Sequence, residues 1–389
     1  MNFANLLLLG GLAVGLITLC VGLVNRVHSL PIIESRLKRI RHGLEFTMIA
    51  APVLMFWWLG LRSDGLLRGG SWNALNSGEW LLIAIGGGGC LVLVMRTLRH
   101  WFYSRPSHIK QKASQIIDVE QELGRRPAGN GPYQLLARLP ANEQFQIEVI
   151  DLQVQLPNFP PEWDGLRILH LSDWHFSGAV AKDFFLRAAE LAREQPVDIV
   201  CFTGDLIDNP QLEHWIPETL GRLAAPLGCY FILGNHDWNH EPDIPRRRLS
   251  ELGWIDVSSR VNVISIQNRR MAIGGDETPW MGTRPEFSMD ADFRMLLSHT
   301  PDNIPFARRQ QVDLMLAGHN HGGQVRLPII GPVFSPSWYG CRYASGHFWE
   351  SPTFLSVSRG LSGLHPYRFR CRPEITRLTL SACRPEDVG

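Results

Sequence analysis

Three long apolar stretches crowd the first hundred residues, and they restrict the fold more than any other feature of the chain. Leu6 to Val24 is nineteen residues without a charge, close to the roughly 20 needed to cross a bilayer as a helix. Leu44 to Leu61 is similar, with Glu45 near its end, and Trp80 to Met95 is shorter and contains Gly86 to Gly89. Met1 to Asn5 carries no charged side chain, so the first stretch lacks the basic start of a cleaved secretory signal. Three such stretches with basic linkers predict three membrane spans, at about 6–24, 44–61 and 80–95, rather than buried helices of a soluble core. The glycine run lacks the Lys-Ser/Thr of a phosphate-binding loop and reads as a surface for close helix packing.

The basic residues orient these spans. Arg26, Arg36, Lys38, Arg39 and Arg41 fill the first linker, whereas Arg62 and Arg68 in the second are balanced by Asp64 and Glu79. Arg96, Arg99, Arg105, Lys110 and Lys112 follow the third stretch. Basic loops stay on the cytoplasmic side, which predicts an outside N-terminus and a cytoplasmic C-terminal part at the cell inner membrane. That side depends on an odd number of spans. Trp57, Trp58, Trp72, Trp80 and Trp101 fit anchors at the membrane interfaces.

Averages conceal this division. The 389 residues carry a net charge of +1, which argues against a nucleic-acid partner met by a broad basic surface. Residues 1–112 alone hold 12 Lys+Arg and 4 Asp+Glu, leaving 26 and 33 for the remainder, so the parts carry +8 and −7. An apolar fraction of 45% excludes disorder, and the length exceeds what one core usually supports. The seven cysteines are scattered and never spaced C-x-x-C, so neither a disulfide framework nor a zinc knuckle is expected.

The chain divides into a transmembrane region over 1–99, a juxtamembrane linker over 100–144, a catalytic domain over 145–383 and a tail over 384–389. Within the linker, Ile109 to Leu123 reads as a helix followed by a connector rich in Pro and Gly. Period-two apolar residues from Phe145 to Val154 predict a strand pair or a bulged strand. Buried strands follow at Leu166–Leu171, Ile199–Phe202, Cys229–Leu233, Val261–Ile266, Met271–Ile273, Met295–Leu297, Leu314–Ala317 and Phe354–Val357. Helical spacing over Val180–Glu194 separates the first two. The mixture implies a layered α/β domain with mixed sheets.

Chemistry-bearing residues gather just beyond five of these strands. Ser172-Asp173-Trp174-His175, Gly204-Asp205-Leu206-Ile207-Asp208 and Gly234-Asn235-His236-Asp237 come first. Ser298-His299-Thr300-Pro301 and Gly318-His319-Asn320-His321-Gly322-Gly323 follow. Open α/β sheets bind ligands at such strand ends. Imidazoles, carboxylates and one amide, without thiolate, suit Mn, Zn, Fe, Ni or Co. Seven candidate ligands exceed one coordination shell, which points to two divalent metal ions. A lone histidine of this kind is usually a cap or a core residue, but five motifs in order make that explanation improbable.

The pattern D-x-H, G-D-x-x-D, G-N-H-D, lone H and G-H-x-H resembles the calcineurin-like metallophosphoesterases over roughly residues 146–382. GHNHGGQVRLP at Gly318 to Pro328 and the tail from Val357 to Leu380 are similar to the small bacterial, membrane-associated branch. That branch includes enzymes resembling UDP-diacylglucosamine pyrophosphatases. The resemblance implies an α/β fold, a four-layer α/β/β/α sandwich, behind the transmembrane helices. It implies a first metal on Asp173, His175 and His321, a second on Asn235, His299 and His319, and Asp205 bridging. His236 would protonate the leaving oxygen, with Asn235 beside it and Asp237 orienting the imidazole. Asp208 reads as a hydrogen-bond partner rather than a ligand.

Trp174 replaces a smaller aliphatic residue of the family, at the expected mouth of the site. Arg359 and His365 are weaker candidates for phosphate contact, and Trp238, Trp280 and Trp338 for an apolar channel. The run Arg246 to Arg248 reads as a solvated helix face. The implied function is hydrolysis of phosphodiester or pyrophosphate bonds by in-line attack of metal-activated water. The substrate would be a phosphorylated small molecule or lipid, and the membrane itself a partner. A non-catalytic binding or sensor module would have lost the acid histidine or several ligands, and none is missing here.

Overall fold

The computed structural model describes residues 3–383, so the expected tail at 384–389 lies outside the described residues. They form two compact units, one of residues 3–104 with 327–340 and one of residues 105–326 with 341–383.

The first unit is built on three helices, α1 (Phe3–His28), α2 (Glu34–Met55, continued by a π-helical turn at Phe56–Leu61) and α3 (Ser77–Trp101). Among the described residues these three are long and apolar enough to cross a membrane. α3 outruns its apolar stretch because Asn76 and Glu79 form a reciprocal capping box: Glu79 N–H donates to Asn76 Oδ1 at 3.1 Å and Asn76 N–H to Glu79 Oε2 at 2.8 Å. Arg62 then neutralises both acids of this linker, meeting Asp64 at 2.8 Å and Glu79 at 2.7 Å.

The glycine run in α3 is where α1 docks. A Cβ on Gly89 would stand 2.0 Å from the carbonyl oxygen of Gly15, and one on Gly15 would stand 1.9 Å from that of Gly86. Nothing lies within 4 Å of a Cβ on Gly87 or Gly88. Without a hydrophobic drive between helices in lipid, such backbone proximity is what packing depends on. Gly89→Val is expected to force α1 and α3 apart at a cost of about 1–3 kcal/mol. The readout is the detergent-denaturation midpoint of the full chain, with Gly88→Val as the silent control; equal midpoints for the two variants would refute the packing role.

The second unit holds two mixed sheets. The first runs, in spatial order, β1 (Ile109–Asp118), β2 (Gln146–Leu156), β15 (Glu374–Ala382), β3 (Leu166–Leu171), β4 (Ile199–Thr203), β5 (Cys229–Ile232) and β6 (Ile255–Asp256). The second runs β13 (Gly346–Glu350), β14 (Thr353–Val357), β10 (Leu314–Ala317), β9 (Phe293–Ser298), β8 (Arg269–Asp276) and β7 (Val261–Ile266). Short strands β11 (Arg326–Leu327) and β12 (Gly331–Pro332) pair separately. Side chains such as Ile168, Ile199 and Ile232 from one sheet and Ile273, Met295 and Leu316 from the other fill the space between them. Outside the first sheet, Phe184, Phe185, Ala188 and Leu191 of the helix Lys182–Arg193 pack on Leu169, Leu171 and Phe202. The helix Ile304–Arg309 buries Ile304, Phe306 and Ala307 beside the second sheet. The architecture is the α/β/β/α sandwich that the resemblance implied.

The expected helix over Ile109–Leu123 is corrected. Residues 109–118 are β1, an edge strand antiparallel to β2, and only Val119–Leu123 turns into a helix. Most β1 side chains face solvent on a strand paired along one edge only, so no buried stripe of either period marks it and long-range pairing decides. Asp118 ends the strand by accepting the Gln121 N–H at 3.0 Å, and β2 is one continuous strand rather than a pair.

Candidate metal centre

The five motifs meet at the carboxyl ends of β3, β4, β5, β9 and β10. β3, β4 and β5 are mutually parallel, as are β9 and β10. Each strand hands over to a turn in which the backbone is bent sharply. Asp173 (φ 54°), His175 (50°), Asp205 (57°), His319 (69°) and His321 (48°) all adopt left-handed conformations. For residues with a Cβ this costs on the order of 1 kcal/mol each, and the strain coincides with the predicted ligands. Gly318 cannot be anything larger, since a Cβ there would meet Ser172 Oγ at 1.9 Å and Asp173 Oδ2 at 2.3 Å.

Hydrogen bonds fix which nitrogen of each ring faces inward. Carboxylate and carbonyl oxygens can only accept, so the ring nitrogen beside each of them carries the proton. His175 Nδ1 meets Asp208 Oδ2 at 3.0 Å, His299 Nδ1 meets the Thr203 carbonyl at 2.7 Å, and His321 Nδ1 meets the Ser362 carbonyl at 3.0 Å. Their Nε2 lone pairs therefore point to the interior. There they meet other polar atoms: His299 Nε2 is 3.1 Å from Asn235 Oδ1, 3.3 Å from Asp205 Oδ2 and 3.2 Å from His319 Nδ1. His175 Nε2 lies 3.5 Å from the same Asp205 oxygen.

Buried acceptors that converge without donors fit cations. Asp173, His175, Asp205 and His321 form one group, and Asp205, His299 and His319 a second, each with candidate donor atoms within 4.8 Å of one another. Asp205 Oδ2 and His175 Nε2 are buried without a hydrogen-bond partner. The donor set thus passes the test for divalent metal. Without metal the cluster holds a proton instead: burial would lower His299, but Asp205 outweighs it and His299 is pushed up to about 9. Burial likewise pushes the Asp173 carboxyl up, against the pull of His299.

His236 occupies the short helix Asn235–Asn239, with about a quarter of its side chain exposed. Its Nδ1 meets Asp208 Oδ1 at 2.6 Å, and its backbone N–H donates to Asp205 Oδ1 at 2.8 Å. Burial would lower this imidazole; Asp208 and Asp205 outweigh it and push it up to about 10. Burial would raise Asp208, yet the imidazoles of His175 and His236 hold it well below the usual carboxylate range. Asp208, not Asp237, therefore orients His236. The Asp237 carboxylate accepts the backbone N–H groups of Leu206, Ile207 and Gly234 and so holds two of the motif turns together.

Other expectations sort differently. Trp174 is fully buried among Phe176, Phe185 and Phe202, so it is a core residue and not at the mouth. Trp280 does line the site, its ring 4.8 Å from that of His319 and 5.6 Å from that of His299. Arg359 is spent on Glu148 and Glu374, and the His365 ring lies tilted 4.4 Å from that of Tyr133. Arg246 pairs with Asp256 and Glu277, while Trp338 belongs to the first unit. Sequence reasoning missed Thr203, Ser362 and Arg368. The buried Arg368 donates through Nη2 to the Ser362 carbonyl at 2.7 Å, the same oxygen that holds His321.

A sandwich of mixed sheets with nitrogen and oxygen donors at its strand ends defines a metal-dependent hydrolase of phosphoesters. Residues 166–323 match the family described as Calcineurin-like phosphoesterase. The chain is 31% identical to "Uncharacterized metallophosphoesterase YkuE" of Bacillus subtilis, covering 62% of this chain and 87% of that one. It is also 31% identical to "Phosphodiesterase YaeI" of Escherichia coli, over 55% of this chain and 82% of that one. "UDP-2,3-diacylglucosamine pyrophosphatase LpxG" of Chlamydia trachomatis is 26% identical, over 59% and 88%. The chain belongs to the calcineurin-like phosphoesterases and carries three helices able to cross a membrane.

Proposed function

We propose that the chain is an inner-membrane phosphodiesterase or pyrophosphatase working with two divalent cations, its catalytic domain (145–383) cytoplasmic. One observation carries the two-cation reading: Asp205 Oδ2, buried and without a hydrogen-bond partner, sits between His175 Nε2 and His299 Nε2 at 3.5 and 3.3 Å. Asp173, His175 and His321 would hold one cation, Asn235, His299 and His319 the other, and Asp205 both. When bound, a pair of Mn, Zn, Fe, Ni or Co ions supplies an acidified water and charge on the phosphoryl oxygens for in-line displacement.

The remaining chemistry belongs to the protein. Asp208 holds the Nδ1 proton of His236, leaving Nε2 to deliver a proton to the departing oxygen. Asn235 and Asp237 fix the turn that carries this imidazole. The relatives' names support a phosphodiester or diphosphate bond, and the apolar helices support a lipid- or nucleotide-linked substrate such as UDP-diacylglucosamine. Basic last turns on both α1 and α3 support the cytoplasmic side.

A hydrolysis panel of bis-p-nitrophenyl phosphate, UDP-diacylglucosamine and phosphomonoesters with metal-loaded full-length protein tests the substrate class; turnover confined to monoesters would refute it. His236→Ala is expected to lower kcat on the preferred diester or diphosphate by about a hundredfold or more with metal content unchanged. Undiminished turnover would remove the acid role.

A further inference from the structure

We propose that residues 327–340 are a strap that enters the lipid interface, so that this enzyme meets the membrane through its catalytic sequence as well as its spans. The segment starts six residues after His321 in the chain, yet it belongs to the first unit and contacts α1 and α3 there. Its main chain is tied to the carboxyl-terminal ends of α1 and α3. Trp101 Nε1 donates to the Ile329 carbonyl at 2.8 Å, and Arg96 Nη2 to that of Pro332 at 2.8 Å. Asn25 Oδ1 accepts the Ser335 N–H at 3.1 Å, and the His28 ring meets Phe334 edge-on at 5.5 Å.

Those helix ends fix the depth of the strap. α1 closes with Arg26 and His28, and α3 with Arg99, His100 and Trp101. Cationic and indole side chains terminating an apolar span lie where headgroups meet acyl chains. A segment hydrogen-bonded to Trp101 and Arg96 lies at that same level.

Its composition fits the level. From Leu327 to Cys341 there is no charged residue, in a connection whose side chains would ordinarily be polar. Ile329 is 68% exposed and Trp338 56%, with Leu327 and Phe334 also exposed. Ile329 is moreover held at φ 71°, a conformation that β-branched residues resist. The backbone is strained where it presents an apolar side chain outward, and a lipid interface with its acyl boundary is the surroundings that suit it. Arg26, Arg96 and Arg99, in the carboxyl-terminal parts of α1 and α3, favour anionic headgroups there.

The test is a photoreactive diazirine residue placed at 329 or 338 of the full chain. The protein is reconstituted in vesicles of phosphatidylethanolamine and phosphatidylglycerol, and adducts are read by mass spectrometry. Lipid adducts at both positions are expected; water-quenched label or capture of a second copy would overturn the proposal. Ile329→Gly separates contact from folding, because glycine relieves the positive φ while deleting the side chain. It should leave the melting temperature undiminished and raise KM about tenfold for a lipid-linked diphosphate in vesicles. Turnover of bis-p-nitrophenyl phosphate should stay unchanged. An equal change on both substrates, or none on either, would count against the strap. The kinetic arm rests on the proposed function, whereas the adducts do not, so the two can fail separately.

Discussion

Asp205→Asn is expected to lower hydrolysis at least about a thousandfold, equivalent to about 4 kcal/mol of lost transition-state stabilisation, while leaving the fold intact. The substitution is nearly isosteric. The amide oxygen can keep the Oδ1 position and still accept the His236 N–H. The amide nitrogen then replaces Oδ2, offering a donor to the inward lone pair of His175 while giving up the charged contact with His299. The metal-free variant should keep a cooperative melting transition, because the donor gained by His175 Nε2 offsets part of the ion pair lost between Asp205 and His299. Metal binding should suffer, since the only acid shared by both donor groups has lost its charge. Elemental analysis beside a melting curve reads both effects. A variant with full metal content and undiminished turnover would remove Asp205 from the shared position.

Much of this centre was legible because each strand end packs its donors into a contiguous peptide, three of the five opening on glycine. Gly204-Asp205 and Gly318-His319 announce a tight turn and a ligand type together, and the fold brings five such peptides to one edge. What stayed hidden depends on atoms that side-chain patterns do not encode. The carbonyls of Thr203 and Ser362 set the tautomers of His299 and His321, yet any residue supplies a carbonyl. Asp208 reads correctly as a hydrogen-bond partner, but its hold on both His175 and His236 needs three loops in space. The resemblance gives Asp237 the task of orienting the imidazole, whereas the turn points its carboxylate at three backbone N–H groups. β1 escaped because an exposed edge strand carries no burial period, and the strap because its partners lie more than two hundred residues earlier.

Arg359→Met should destabilise the catalytic unit by about 3–5 kcal/mol at neutral pH, the usual effect of breaking a buried ion pair from one side. The guanidinium lies within 2.5 Å of Glu374 and 2.8 Å of Glu148, and all three side chains are largely out of solvent. Burial alone would raise the Glu374 carboxyl; Arg359 first, then His347, outweigh it and hold it down to about 2. Against an ordinary 4.5, that corresponds to about 3 kcal/mol of folding stability. A lowered folded value gives stability that is complete above 4.5 and lost as pH falls towards 2. Without Arg359 burial takes over, the carboxyl rises above 4.5, and its penalty is present at high pH and relieved by acid. The deficit of the variant should therefore narrow between pH 7 and about pH 5. His347 works in the same direction: buried and lowered to about 4 in the parent, in part by Arg359, it protonates more readily once that cation is gone and then faces Glu374 as its partner. His170, also lowered to about 4 by burial, weakens both proteins in acid alike and cancels from the comparison. Urea midpoints for parent and variant at the two pH values supply the measurement, with Arg359→Met/Glu374→Gln expected to regain part of the loss. A deficit that is the same at both pH values would show that Arg359 acts by packing and not by charge.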